Sequence, residues 1–285
     1  MNWPSRLYGG TVCPSITRLL ATVGLILVLG LLFGCAANSA NTSAVGQSVR
    51  GAEPITESDE PEVRKRARIR LELASNYFEA GQTTVALDEI KQSIAADPNF
   101  GAAYVLRGLV YMRLNDPALA EESFRRALQV NSRDSDALHN YAWLMCNQKR
   151  YQEAINFFDG ALVSPTYGGR AKTLMLKATC LLRMGDPVQA EVHFARSYEL
   201  DPANPYVGFN LAKLEYLRGD LTRAQFVIRR LNNSELANAE TLWLGIKIER
   251  RLQNLAVVEQ LALQLSRRFP TSREWNSYQR GAFDE

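Results

Sequence analysis

GAAYVLRGLVYMRLNDPALAEESFRRALQVNSRD (residues 101–134) is a 34-residue unit that the chain repeats in outline from residue 67 almost to its C-terminus. Within it, Ala120, Phe124 and Ala127 follow at helical spacing, so they share one face of a helix. The same trio stands 34 residues earlier as Ala86, Ile90 and Ser93, and 34 residues later as Ala154, Phe158 and Ala161. A 36-residue step leads to Ala190, Phe194 and Ser197; Ala224, Ile228, Leu231 and then Val258, Ala262, Leu265 follow at 34 again. A second column precedes the trio: Ala74, Gly108, Ala142, Ala178, Ala212 and Ile246. Small or apolar residues there let a first helix pack against a second. Tyr77, Tyr111, Met145 and Leu181 add bulk about one turn later, a pattern that Glu215 and Glu249 break. Between the helices stand Gly81, Gly185 and Gly219, with Asn115, Lys149 and Gln253 in the same slot of the other units. Glycine and asparagine reach left-handed backbone angles cheaply and end helices there.

A fixed period of 34 residues with this pattern reads as tetratricopeptide (TPR) repeats, stacked helix–turn–helix pairs. The expected fold is all-α, a right-handed superhelical solenoid of six repeats at 67–100, 101–134, 135–168, 171–204, 205–238 and 239–272, followed by a tail at 273–285. Asp97-Pro98, Asp201-Pro202 and Phe269-Pro270 close second helices, because proline cannot continue a helix. The two extra residues between repeats three and four fall in a stretch with Pro165, Tyr167, Gly168 and Gly169, and predict a local distortion of the stack.

Residues 1–34 are of another kind. Arg6 and Arg18 are the only charges, and Leu19 to Phe33 is almost wholly apolar. A basic start, an apolar run and small residues before a cleavage point describe a secretory signal. Leu32-Phe33-Gly34-Cys35 is similar to the lipobox of bacterial lipoproteins, which implies that Cys35 carries the lipid and becomes the new N-terminus. Phe33 is larger than the usual residue at its place. An uncleaved anchor over residues 16–33 is the other reading, at the short end of what spans a bilayer. Ala36 rather than Asp after the cysteine points to the outer membrane in that family, facing the periplasm. Residues 35–66 are small and polar, then acidic, then basic, without apolar period. They read as a lipidated flexible tether spanning about 30 Å as a random coil.

The formal net charge is +3, and Arg6 and Arg18 supply two of it. No basic stripe stands out, so nucleic acid is not an expected partner. Cys146 and Cys180 lie in neighbouring first helices. In an exported chain they are either bridged, the favoured reading since disulfides persist there, or two small buried thiols. With His139 they lack metal-ligand spacing, and neither metal nor cofactor is expected. No phosphate loop, His-Glu-x-x-His or Gly-x-Ser-x-Gly occurs. The chain reads as a non-enzymatic binding protein with no small-molecule substrate. In a TPR stack the first helices line the inner groove. Leu71, Phe78, Val105, Leu109, Met112 and Trp143 make its first half apolar, with His139, Cys146, Tyr206, Phe209, Tyr216 and Trp243 further along. Such a lining suits a helix or an apolar tail of a partner.

Particular stretches carry a closer resemblance. Asn140-Tyr141-Ala142-Trp143-Leu144-Met145-Cys146-Asn147-Gln148, then Arg150-Tyr151-Gln152-Glu153-Ala154, Pro165-Thr166-Tyr167, Cys180, and Leu242-Trp243-Leu244-Gly245-Ile246-Lys247-Ile248-Glu249-Arg250 resemble the PilF/PilW-type lipoproteins of type IV pilus biogenesis. Lys177-Ala178-Thr179 before Cys180 departs from that pattern. The resemblance implies a pilotin, an outer-membrane lipoprotein that binds the type IV pilus secretin and supports its localisation and multimerisation. A TPR lipoprotein adaptor for another envelope assembly, such as a peptidoglycan hydrolase or outer-membrane protein insertion complex, is the alternative.

Overall fold

The computed structural model describes residues 59–283. The signal, Cys35 and most of the tether lie outside the described residues. Thirteen helices and no strand occur among those described. They alternate as first and second helices: α1 (Glu62–Glu79) and α2 (Thr83–Ala96), α3 (Gly101–Arg113) and α4 (Pro117–Val130), α5 (Ser135–Asn147) and α6 (Tyr151–Leu162). The series continues with α7 (Arg170–Met184) and α8 (Pro187–Leu200), α9 (Pro205–Arg218) and α10 (Leu221–Asn232), α11 (Ala239–Arg251) and α12 (Leu255–Arg268), and closes with α13 (Arg273–Gln279). This is an all-α TPR solenoid. No helix of the described residues is long and apolar enough to cross a membrane.

The two sequence columns are the core. Every member of the six trios is buried, and Phe124, Phe158 and Phe194 have no exposed surface at all. Gly108 shows why the column ahead must stay small: a Cβ there would lie 2.5 Å from the Phe124 ring. Fully burying a side chain of that size is worth about 2–3 kcal/mol, but each repeat presents only one such layer. Stacking on the next repeat completes it.

Helix ends follow local chemistry. Asp116, Asp134, Asp186, Asn204, Asp220 and Asn238 accept hydrogen bonds from backbone N–H groups of the helices they start. These side chains satisfy donors that a helix start leaves unpaired. All six turns are left-handed at the shared slot: Gly81, Gly185 and Gly219, and also Asn115 (φ 58°), Lys149 (φ 64°) and Gln253 (φ 60°). The lysine and glutamine take a conformation in which a Cβ crowds the carbonyl, because the turn geometry is common to every repeat.

Two boundaries differ from the sequence expectation. The first helix begins at Glu62, inside the segment read as tether. Ion pairs hold its first turns: Arg64 with Asp97 (2.5 Å) and Arg68 with Glu60 (3.1 Å) and Glu72 (3.0 Å). The residues read as a tail contain α13, whose Trp275 and Tyr278 pack on repeat six. The two-residue insertion is tied down rather than loose. The Arg170 guanidinium donates to the carbonyls of Leu162 (2.8 Å) and Ser164 (3.0 Å). The Tyr167 ring covers Gly169, where a Cβ would have to displace it.

Candidate functional site

The first helices carry the residues expected to line the groove, and the structure divides them into three groups. Val105, His139, Cys146 and Trp243 are buried within the stack. Val105 is thus a correction: it belongs to the core of repeats two and three, beside Tyr104, Phe124 and Tyr141. Leu109, Met112 and Trp143 are half-buried and pack against that same core cluster. Leu71 and Phe78 are half-buried over Ala74, Ala86 and Ile90 of repeat one. What these five residues offer to solvent is therefore the half-exposed edges of core side chains. Tyr206 is more open, at 46% exposure.

His139 does structural work. Its Nδ1 is 2.7 Å from the Thr173 hydroxyl, one repeat away, and Thr173 in turn donates to the Gly169 carbonyl. Burial, and then the nearby Lys172, push the imidazole down to about 4, so it is neutral at physiological pH. His193 is likewise lowered to about 4 by burial, then by Lys177 and Arg196, against Asp159. Cys146 and Cys180 are joined by a disulfide, with Cα atoms 5.8 Å apart. Both are buried, and the bridge ties α5 to α7 across the junction that holds the insertion. Among the described residues no cluster of three or more His, Cys, Asp or Glu is placed to hold a metal ion.

The cations of the inner face went unread in the sequence. Arg113 stacks on Phe78 (3.8 Å from guanidinium carbon to ring centre) and donates to the Phe78 carbonyl. Arg183 lies 4.8 Å from the Trp143 ring and donates to Asn147 Oδ1 at 2.9 Å. Arg251 lies 5.0 Å from the Tyr216 ring. These three arginines share one repeat position, near the end of a first helix, and each covers an aromatic of the preceding repeat. Aromatic faces attract cations by about 0.5–1 kcal/mol at exposed sites. A cation at the C-terminal end of a helix also complements its dipole. The α3 and α7 helices carry basic residues and no acid. The ends of these first helices therefore carry aromatic rings covered by guanidinium groups, a combination chemically suited to apolar and acidic side chains together. The available signal was the repeat register itself, which puts Arg113, Arg183 and Arg251 at one position of alternate repeats.

The sequence profile of the tetratricopeptide repeat matches residues 71–135 and 105–169, and a second profile of that repeat matches 181–240. The type IV pilus assembly protein PilF of Pseudomonas aeruginosa is 28% identical over 209 residues, 73% of this chain and 83% of its own length. A solved structure of Pseudomonas aeruginosa PilF superposes with a TM-score of 0.70 at 26% identity, covering 78% of this chain and 100% of that one. PilW, described as a widely conserved type IV pilus biogenesis factor, superposes with a TM-score of 0.63 at 28% identity, over 77% of this chain and 99% of its own. Both superpositions cover more than three quarters of this chain, and with the repeat profiles and the 34-residue core columns they show that the chain belongs to the tetratricopeptide-repeat proteins and is of the PilF/PilW type.

Proposed function

We propose that the protein is a type IV pilus biogenesis factor acting as a pilotin: a lipoprotein, anchored in the outer membrane through Cys35, that grips the secretin in its inner groove and promotes its multimerisation. The observation that carries this reading is the likeness to PilF and PilW over nearly their full lengths. The groove supports it chemically. Leu109, Met112 and Trp143 offer a contiguous apolar edge on two neighbouring first helices, with Arg183 over Trp143 to orient an acidic neighbour. The work is binding rather than bond-making. A solenoid presents a long concave surface to another chain. Several acyl chains hold a protein stably at a bilayer where one does not.

Deletion of the gene followed by membrane fractionation tests the reading. Secretin multimers are expected to fall while monomers persist. Cys35→Ser is expected to leave a folded protein that no longer floats with the outer membrane, and multimers should then be lost or misplaced. Unchanged multimers in the deletion strain would remove the pilotin reading. Wild-type flotation of the Cys35→Ser protein would remove the lipid anchor alone.

A further inference from the structure

The inner side of repeats five and six opens into a cleft of about 300 Å³. Phe209, Tyr216 and Trp243 line it, with Lys213, Lys247 and Arg273. Glu240 and Glu274 also line it. Lys247 Nζ lies 5.8 Å from the Tyr216 ring and 5.6 Å from the Trp243 ring. Arg250 and Arg251 follow on the same helix. A guanidinium stacked on a ring still presents N–H groups along its edge, in the geometry that fits a carboxylate.

Beside the cleft, on the Trp243 side, the chain itself displays what the adjoining surface accepts. After α13, Gly281 takes a left-handed conformation (φ 69°) and the Ala282 N–H donates to the Ser277 carbonyl at 2.9 Å, turning the chain back. Phe283 then lies on the Arg250 guanidinium, 3.6 Å from carbon to ring centre. The Trp243 ring is 5.2 Å away and the Tyr278 ring 5.9 Å. The next two residues in sequence are Asp284 and Glu285. Short helices are held by few contacts and open at low cost. Phe283 is attached through a seven-residue helix, so it can leave its place without disturbing the stack.

We propose that the Trp243–Arg250 face on which Phe283 rests, together with the adjoining cleft, is a second peptide site, for a partner segment in which an aromatic residue precedes carboxylates, with Phe283 as the intramolecular stand-in for that aromatic residue. Sign of charge selects the partner. Lys213, Lys247 and Arg273, with Arg250 and Arg251 beyond them, outweigh Glu240 and Glu274. The aromatic floor gives the apolar anchor, and the cations read the acids that follow it. This site is separate from the edge formed by Leu109, Met112 and Trp143, and it stands whichever protein that edge binds.

The test uses the purified full-length protein in detergent and a fluorescein-labelled peptide, GSGAFDE, followed by anisotropy. Phe283→Ala is expected to bind the peptide about tenfold more tightly than wild type, because the occupied fraction of the site is released. Peptides GSGAADE and GSGAFNQ are expected to lose most of that binding. Lys213→Glu in the Phe283→Ala background should weaken binding severalfold with an unchanged melting curve, since Lys213 is exposed. If Phe283→Ala melts early, Phe283→Leu replaces it and should fall between the two. Equal affinity of wild type and both Phe283 variants overturns the proposal, as does undiminished binding of GSGAFNQ. Wild-type mass that rises with concentration, and stays monomeric in Phe283→Ala, would assign the face to the tail of a second copy and overturn the partner site.

Discussion

Repeats five and six place a glutamate at the same position, and the two side chains have opposite fates. Glu249 is fully buried and accepts three hydrogen bonds: from Arg229 Nε at 2.6 Å, from Asn254 Nδ2 at 2.7 Å and from Gln225 Nε2 at 2.8 Å. Glu215, 34 residues earlier, is 5% exposed, and its Oε2 has no partner. The residues that stand 34 before Arg229, Asn254 and Gln225 are Ala195, Asp220 and Glu191. One donor is thus missing and two have become acids. Even the helix caps trade places: Asp220 spends its carboxylate capping α10, whereas Asn254 leaves α12 without a side-chain cap and serves Glu249. Burial raises the Glu249 carboxyl, but its donors outweigh burial and the net shift is downward. At Glu215 burial, then Glu191 and Asp220, raise the carboxyl to about 7 against the opposing Arg223 and Arg218. The same residue at the same repeat position is therefore an ionised group in one repeat and, in the other, a carboxyl about half protonated near neutral pH. Neighbours on the second helix of the preceding repeat and at the start of the repeat's own second helix decide which.

The largest expected effect comes from stripping Glu249 of its cation. Arg229→Met leaves a buried carboxylate with only two amide donors. Breaking a fully buried pair costs roughly 3–5 kcal/mol, but Arg229 is 47% exposed and part of its contribution is screened. A loss of about 2 kcal/mol in urea unfolding is expected, localised to repeats five and six by hydrogen exchange. No change would mean that Gln225 and Asn254 alone hold the charge.

The pH response of the two glutamates should differ in sign. The Glu215 carboxyl is raised from 4.5 to about 7 in the folded chain. The folded state then holds a proton that the unfolded state releases. Its contribution is fully present below about pH 4.5 and is lost as pH rises through about 7. Glu249 is lowered, so its contribution is present above the ordinary carboxylate range and is lost as pH falls through its folded value. Glu215→Gln should therefore remove a downward stability slope between about pH 5 and 8, amounting to roughly 1–2 kcal/mol. Glu191→Gln, which places there the glutamine that repeat six has, should flatten the same slope only in part, because burial, the larger cause, remains. Melting temperatures of the three proteins across that range check both. A wild-type slope that survives Glu215→Gln would place the titrating group elsewhere.

The smallest expected effect concerns the turns of the same two repeats. Gly219 has φ 90° and Gln253, in the same slot, has φ 60°. Gln253→Gly should stabilise by about 0.5–1 kcal/mol, and Gly219→Ala should destabilise by about 1 kcal/mol. Equal and opposite shifts in melting would show that the slot is governed by backbone conformation alone.

The solenoid was legible because its core rests on residue types that tolerate few substitutes. A trio at helical spacing and a small residue ahead of it recur at 34 whatever the surface does. The groove was less legible. Whether position five or nine of a first helix meets solvent depends on how far the next repeat overlaps it, and Val105 and His139 fell inside that overlap while Leu109 and Trp143 stayed at its edge. The start at Glu62 was hidden by a charged run with no apolar period, although Arg64 and Arg68 find partners there. Helix α13 is seven residues long, too short for periodicity to register. The Glu215 and Glu249 columns were visible as exceptions. Their contrast required the identity of residues on a different helix.

The bridge between Cys146 and Cys180 has a mechanical consequence. A stack in which each repeat touches only its neighbours behaves like springs in series, and a pull on its two ends opens the weakest junction first. The junction between repeats three and four carries two extra residues, which Arg170 ties down. The covalent link between α5 and α7 removes that junction from the series. Under tension the protein should then act as two compliant arms on a stiff middle, and the first extension should come from repeats on either side of it, with repeats three and four yielding last and as one body.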